Sequence, residues 1–112
     1  LIDEKGEPHL IDFGLAHRSS RDAVITVDGH VFGTPAYMSP EQARGEATRV
    51  DERSDVYAMG VILYRMITGT LPFPGNLHRT LHQVIHEMPR RPRLLNDSIS
   101  PELESVCLKA ME

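Results

Sequence analysis

The residues best suited to chemistry lie near the start of the chain, where Asp12, Phe13 and Gly14 follow a short apolar run. A carboxylate at the end of a strand, followed by a glycine, is a common way to present oxygen ligands to a hard cation. Three-residue matches are frequent, however, and an Asx turn that ends a strand accounts for the same residues. The tripeptide therefore gains meaning only from the segments that follow it.

Two such segments follow at defined intervals. Residues 33–41 read Gly-Thr-Pro-Ala-Tyr-Met-Ser-Pro-Glu, and residues 54–73 read Ser-Asp-Val-Tyr-Ala-Met-Gly-Val-Ile-Leu-Tyr-Arg-Met-Ile-Thr-Gly-Thr-Leu-Pro-Phe. With Asp-Phe-Gly before them, these segments resemble the protein kinases in both order and spacing. The motif sequences are most similar to those of the bacterial, eukaryotic-like serine/threonine kinases, in which Ser-Pro-Glu-Gln often replaces the Ala-Pro-Glu of animal kinases. The resemblance covers essentially the whole chain.

The fold class that the resemblance implies is a partial α+β protein-kinase-like fold. It would be a mainly α-helical part of the C-terminal lobe with a short N-terminal β-hairpin. Residues 1–112 would form one partial catalytic domain, from just after the catalytic loop through the activation segment and the following helices. The residues themselves also favour the hairpin, because the runs 1–3 and 8–11 flank a polar turn in which Gly6 can supply a positive φ.

The cofactors implied by the resemblance are ATP and Mg²⁺. Asp12 would hold Mg²⁺ on the ATP phosphates, Phe13 would pack differently in active and inactive states, and Gly14 would let the backbone turn. The family's glycine-rich loop, strand lysine and catalytic aspartate do not occur in this sequence. We therefore expect the catalytic Asp and Lys upstream of residue 1, and an inactive chain in isolation.

The substrate class implied by the resemblance is proteins with serine or threonine acceptors. Gly33, Thr34 and Pro35 would form the segment beside the catalytic aspartate that distinguishes these kinases from tyrosine kinases. Tyr37 and Met38 would line the floor beneath the residue that follows the phosphoacceptor. A pseudokinase that binds or signals without turnover is the alternative, although the motif residues kept in this chain argue against it.

Two acidic residues have a structural as well as a family interpretation. Glu41 lies in a capping-box pattern with proline at the first helical position, and in the family it pairs with an arginine beyond the present C-terminus. Asp55 lies in the first turn of a helix, where the helix dipole favours an acid. In the family it holds the backbone amides of the catalytic loop, and the order of the motifs favours this architectural role.

Thr26 is a possible phosphorylation site in the predicted activation segment. It is the hydroxyl residue closest to Gly33, and kinases of this type are often phosphorylated in this part of the loop. A phosphate there adds negative charge that can order a loop by pairing with arginine. A plain polar loop residue is an equally good interpretation.

Three helices are predicted to position these residues. The stretch from Ser54 to Gly69 is apolar nearly all round, which predicts a buried central helix that Ser54 caps and Gly69 ends. One-sided apolar spacing predicts two amphipathic helices after it. The first carries Leu77, Leu81, Val84, Ile85 and Met88, and the second follows the cap Ser100 and carries Leu103, Val106, Cys107, Ala110 and Met111.

Two polar clusters lie outside the motifs. His78, His82 and His86 recur at every fourth position, a spacing that can bind Zn²⁺, but no Asp or Cys joins them, and ordinary flanking residues are the favoured interpretation. Residues 89–93 read Pro-Arg-Arg-Pro-Arg and predict an extended basic linker. This linker either is solvated, which is favoured, or binds an acidic substrate segment.

Composition limits the remaining possibilities. The net charge of −4 with interspersed signs gives no indication of nucleic-acid binding, and the central helix is too short and interrupted to cross a membrane. The single cysteine, Cys107, excludes an internal disulfide framework and favours a small core residue in a reducing, cytoplasmic compartment. The absence of an initial Met and the helical pattern at Glu112 suggest a piece of a longer protein.

Overall fold

The computed structural model describes residues 4–7 and 35–112, and within these ranges the secondary structure is helical. The α-helices are α1 (Pro40–Ala43), α2 (Glu52–Thr68), α3 (Leu77–His86) and α4 (Pro101–Ala110), and 3₁₀ turns occupy Pro35–Tyr37, Ala47–Arg49 and Pro92–Leu94. Glu4 and Lys5 form a turn next to Gly6, whose φ is 83°. The strands of the predicted hairpin lie outside the described residues.

Helix α2 is the longest element and begins earlier than predicted. Asp51, not Ser54, is its N-cap, and the Asp51 carboxylate accepts a hydrogen bond from the backbone N–H of Arg53 at 2.9 Å. The prediction for Ser54 is wrong because Asp51 is an equally good cap three residues earlier. The predicted end is confirmed, since Gly69 adopts φ 75° and its N–H bonds the carbonyl of Arg65.

The burial of α2 differs between its two faces. Tyr57, Val61 and Tyr64 are 4%, 0% and 1% exposed, whereas Met59 and Met66 are 58% and 77% exposed. The prediction of a helix buried all round is therefore wrong for one face. An apolar sequence shows what a helix can bury, but only neighbouring elements decide what it does bury.

Helix α4 crosses α2 at Gly60 and closes the core. A Cβ atom placed on Gly60 would lie 2.7 Å from Cγ of Met111 and 3.0 Å from Cβ of Ala110, so only a glycine permits this approach. Cys107 is fully buried in the same cluster, as predicted for a core residue, and its thiol lies 3.7 Å from the carbonyl oxygen of Gly60. The two helices therefore share one core.

The amphipathic predictions are confirmed where the helices face this core. In α3, Leu81 and Val84 are buried, and in α4 the cap Ser100 accepts a hydrogen bond from the backbone N–H of Leu103. The outer members of the two patterns are exposed. They are Met88 at 81%, which follows the end of α3, Leu103 at 38% and Val106 at 61%.

The sequence predicts an extended segment between α3 and α4. This prediction is wrong for part of the segment, because residues Pro92–Leu94 form a 3₁₀ turn. Pro92 is fully buried, and the hydroxyl of Tyr64 donates a hydrogen bond to the carbonyl of Arg90 at 2.9 Å. Among the described residues, no helix is long and apolar enough to span a membrane.

Candidate functional site

The segment that precedes α1 contains the described part of the predicted substrate floor. Pro35 opens a 3₁₀ turn that is closed by a 3.3 Å bond from the N–H of Met38 to the carbonyl of Pro35. Pro35 and Tyr37 are half-buried, whereas Met38 is only 7% exposed. Pro35 and Tyr37 thus present surface, whereas the side chain of Met38 is buried.

Arg65 of α2 fixes Tyr37. Its guanidinium donates a 2.8 Å hydrogen bond to the Tyr37 hydroxyl. Arg65 is the single charged residue between Asp55 and Gly69, and its spacing in the sequence does not predict this bond. The bond aligns the turn with the central helix, so the shape of the predicted floor depends on α2.

The predicted capping box at the start of α1 is confirmed. The side-chain oxygen of Gln42 accepts hydrogen bonds from the backbone N–H and the hydroxyl of Ser39, at 3.0 and 3.2 Å. Arg44, just after the helix, donates a 3.2 Å bond to the carbonyl of Ile85 in α3. Helix α1 is therefore held at both ends, which fixes the direction of its one acidic side chain, Glu41.

Glu41 forms a small polar cluster with α2. The hydroxyl of Ser54, which is 3% exposed, donates a 2.5 Å hydrogen bond to Oε1 of Glu41. Partial burial acts to raise the pKa of the Glu41 carboxyl, but hydrogen bonds from Ser39 and Ser54 and the charge of Arg44 outweigh it, so the pKa is lowered. Glu41 is consequently an anion at neutral pH.

Tyr57 lies one turn further along α2 and responds to the same charge. Burial, with a further contribution from the anionic Glu41, raises the pKa of the Tyr57 hydroxyl to about 12. Sequence reasoning missed both Ser54 and Tyr57 as partners of Glu41. The signal was present, because Ser54 and Tyr57 are three residues apart and so share one helix face.

A cleft of about 430 Å³ opens beside Glu41. Its lining carries both signs of charge and includes Arg44, Asp51, Arg53 and Glu112. The carboxylate of Glu41 is thus partly buried at the edge of a space large enough for further side chains.

Asp55 is exposed in the first turn of α2. Within the described ranges, no hydrogen-bond or ion-pair partner is found for its carboxylate. Its position at the N-terminal end of the helix fits the dipole interpretation. The family interpretation involves a catalytic loop that is not in this sequence, so that role stays a prediction.

Most residues predicted to bind the cofactor or the substrate, and the predicted phosphorylation site, lie outside the described residues. They are Asp12, Phe13, Gly14, Thr26, Gly33 and Thr34. The histidines of α3 are described and exposed, and the rings of His82 and His86 lie 4.8 Å apart. Among residues 4–7 and 35–112, no group of three or more His, Cys, Asp or Glu side chains could hold a metal ion.

The comparison with known proteins agrees with the order of the motifs and the helical fold. Residues 1–111 match the protein kinase domain family, and this chain belongs to that family. It is 42% identical over 109 residues to the DNA damage-responsive serine/threonine-protein kinase RqkA of Deinococcus radiodurans, a match that covers 96% of this chain and 16% of that protein.

Two further relatives carry the name serine/threonine-protein kinase PknB. The PknB of Mycobacterium leprae is 41% identical over 112 residues, and that of Mycobacterium tuberculosis is 41% identical over 114 residues. Each match covers 99% of this chain and 18% of the relative. The resemblance to bacterial serine/threonine kinases is thereby confirmed, and this chain spans between 16% and 18% of the length of these relatives.

Proposed function

We propose that this chain is part of the C-terminal lobe of a serine/threonine protein kinase. That kinase transfers the γ-phosphate of ATP to Ser or Thr hydroxyls of proteins, and the chain by itself does not catalyse the transfer. The observation that carries the proposal is the match of almost the whole chain to bacterial serine/threonine kinases. The helical architecture around α2 supports it.

The finer parts of the proposal concern the start of the chain. Residues 1–11 form the short β-hairpin, with Gly6 in its turn, and Asp12 holds Mg²⁺ on the ATP phosphates. Phe13 and Gly14 complete the cofactor-binding tripeptide. Bound Mg²⁺ neutralises charge on the transferred phosphoryl group. The domain works in the cytoplasm, for which the single buried thiol of Cys107 is supporting evidence.

The substrate segment of the proposal runs from Gly33 to Met38. Thr34 lies beside the catalytic aspartate supplied upstream, and Pro35 and Tyr37 contact the substrate chain. The half-buried ring of Tyr37, held by Arg65, supports this role because a fixed aromatic ring costs little entropy when it contacts a ligand. Met38 acts from beneath, as a buried support.

Glu41 and Asp55 have architectural roles in the proposal. Glu41 pairs with an arginine supplied by a later segment of the kinase, and its anionic state and the adjoining cleft support this pairing. Asp55 holds the amides of the catalytic loop. Both residues position the site and neither contacts the transferred phosphate.

Phosphotransfer by the complete kinase domain tests this proposal. We expect incorporation of radiolabelled phosphate into serine and threonine peptides but not tyrosine peptides, and loss by orders of magnitude in Asp12→Ala. Asp97→Ala is the matched control, because Asp97 lies exposed in the segment before α4. Near-normal transfer by Asp12→Ala, with the wild-type fold retained, would contradict the proposal.

A separate experiment addresses Thr26, which we propose is phosphorylated in the active kinase. Mass spectrometry should find the phosphate there, and Thr26→Ala should lower activity while a Thr26→Glu variant retains part of it. Full activity in Thr26→Ala would exclude the switch without affecting the assignment as a kinase.

A further inference from the structure

The segment between α3 and α4 places arginine side chains on a fixed backbone. We call residues 89–95 the arginine loop, since they include Arg90, Arg91 and Arg93. The arginine loop is held where the Tyr64 hydroxyl bonds the carbonyl of Arg90 and where the Arg93 N–H bonds the Glu104 carboxylate at 2.8 Å. A loop held in this way loses little backbone entropy on binding a partner.

The three guanidinium groups of the arginine loop point into solvent. All three residues are exposed, and among the described residues none of their side chains forms an ion pair within 4.0 Å. Two acidic residues of α4, Glu104 and Glu102, lie close to Arg93. The pKa of the Glu102 carboxyl is lowered by hydrogen bonds from its own backbone and Ser100 and, to a smaller extent, by Arg93.

Arg90 and Arg91 therefore carry most of the uncompensated charge. Exposed apolar side chains follow directly, with Leu94 at 66% and Leu95 at 40% exposure. Arginine next to exposed leucine, on a rigid backbone, is a surface that suits a ligand with both carboxylates and an apolar group.

We propose that the arginine loop is a docking surface for a short acidic peptide segment of a partner protein. The segment carries glutamate or aspartate side chains that pair with Arg90 and Arg91, and an apolar side chain that contacts Leu94. This surface is separate from the proposed substrate floor. Tyr64 bonds Arg90 of the arginine loop, and Arg65 bonds Tyr37 of the substrate floor. Because adjacent residues of an α-helix point about 100° apart around its axis, the two surfaces lie on different sides of α2.

The overall charge of the chain favours a short peptide over a larger anionic surface. The net charge is −4, so an anionic membrane or a nucleic acid would be repelled by the chain beyond the loop. A short segment contacts only the loop, and at physiological salt charges further away than about 8 Å are largely screened from it. Three exposed arginines within four residues, in a chain of negative net charge, thus favour a compact acidic ligand.

Fluorescence anisotropy with a labelled glutamate- and leucine-rich peptide, without ATP, tests the proposal on the kinase domain that contains this chain. We expect saturable binding that weakens with salt and falls about tenfold in Arg90→Gln/Arg91→Gln/Arg93→Gln. Arg49→Gln/Arg53→Gln/Arg79→Gln is the matched control, because it changes the net charge equally at other exposed arginines. Circular dichroism should show both triple variants folded.

Each remaining outcome separates the proposal from its alternatives. Equal weakening by both triple variants would overturn it, since binding would then follow net charge alone. Tighter binding of anionic vesicles or of RNA than of the acidic peptide would also overturn it. Because the measurement needs no phosphotransfer, binding in a kinase-inactive Asp12→Ala protein keeps its result independent of the proposed catalytic function.

Discussion

The two faces of α2 both carry apolar residues, but their surroundings differ. One face carries Ser54, Tyr57, Gly60, Val61 and Tyr64, all of them buried against α1, α3 and α4. The other carries Val56, Met59, Ile62 and Met66, with exposures from 42% to 77%. Apolar composition alone therefore does not define a core, because the described neighbours of α2 pack against one of its faces.

The largest expected effect on stability comes from removing one aromatic ring on the buried face of α2. Tyr64 is 1% exposed, packs in the core and bonds the carbonyl of Arg90, so Tyr64→Ala should lower the unfolding free energy by about 3–5 kcal/mol. Met66→Ala on the other face should change it by less than about 0.5 kcal/mol. Urea unfolding of the purified chain, followed by circular dichroism, measures both. Similar losses would show that the two faces do not differ.

The next effect uses alkaline pH to probe the buried face. The pKa of Tyr57 is raised from 10.0 to about 12 in the folded chain, so the folded state binds this proton more tightly than the unfolded state. The resulting stabilisation is fully present below pH 10 and is lost as the pH rises towards about 12. It amounts to roughly 2–3 kcal/mol at most.

Thermal unfolding of Tyr57→Phe across this range checks the prediction. The variant should lose less stability than wild type as the pH rises. Tyr37→Phe, which removes a hydroxyl from a half-buried position, should keep the alkaline loss. If both variants followed the wild-type curve, the alkaline loss would not originate at Tyr57.

A smaller effect is expected where α2 and α4 touch. Gly60→Ala adds a methyl group 2.7 Å from Cγ of Met111, and overpacking of this kind costs about 1–3 kcal/mol. Alanine has the higher helix propensity, which returns up to about 1 kcal/mol. A net loss of about 1–2 kcal/mol in urea unfolding would confirm the close crossing, whereas a gain would show that propensity dominates and the helices can move apart.

The sequence predictions were right for local features and wrong where tertiary contacts decide the structure. Signals that act within a few residues were reliable: Gly69 ends α2, Ser100 caps α4, and the Ser39–Gln42 capping box forms. These depend on local backbone geometry, which the sequence specifies. The N-cap of α2 was placed wrongly because Asp51 and Ser54 are both good caps and only a tertiary contact with Glu41 separates them.

The candidate site could be predicted as residue types but not as contacts. Tyr37, Met38 and Glu41 were identified by the family pattern, yet the bonds from Arg65 to Tyr37 and from Ser54 to Glu41 join residues that are 28 and 13 positions apart. Periodicity within one helix shows which residues share a face, but not which distant residues that face contacts. The exposed face of α2 was missed for the same reason, since its neighbours are not encoded in its own spacing.

The smallest expected effect tests whether the hydroxyl of Ser54 stabilises the ionised Glu41. Ser54→Ala removes a hydrogen bond to a carboxylate, worth about 1.5–3 kcal/mol, while alanine regains part of it through helix propensity and through water that reaches the half-buried carboxylate. We expect a net loss of about 1 kcal/mol at neutral pH. Ser105→Ala, at an exposed position in α4, is the matched control and should have little effect.

The loss of stability in Ser54→Ala should depend on pH. The folded pKa of Glu41 is below its ordinary value of 4.5, so the stabilisation is present above pH 4.5 and disappears as the pH falls through the folded pKa. Urea unfolding at neutral and acidic pH should therefore show the Ser54→Ala loss shrinking in acid, because the hydroxyl then faces a neutral carboxyl. A loss of equal size at both pH values would mean that Ser54 stabilises α2 by packing, and that the buried face owes nothing to the charge of Glu41.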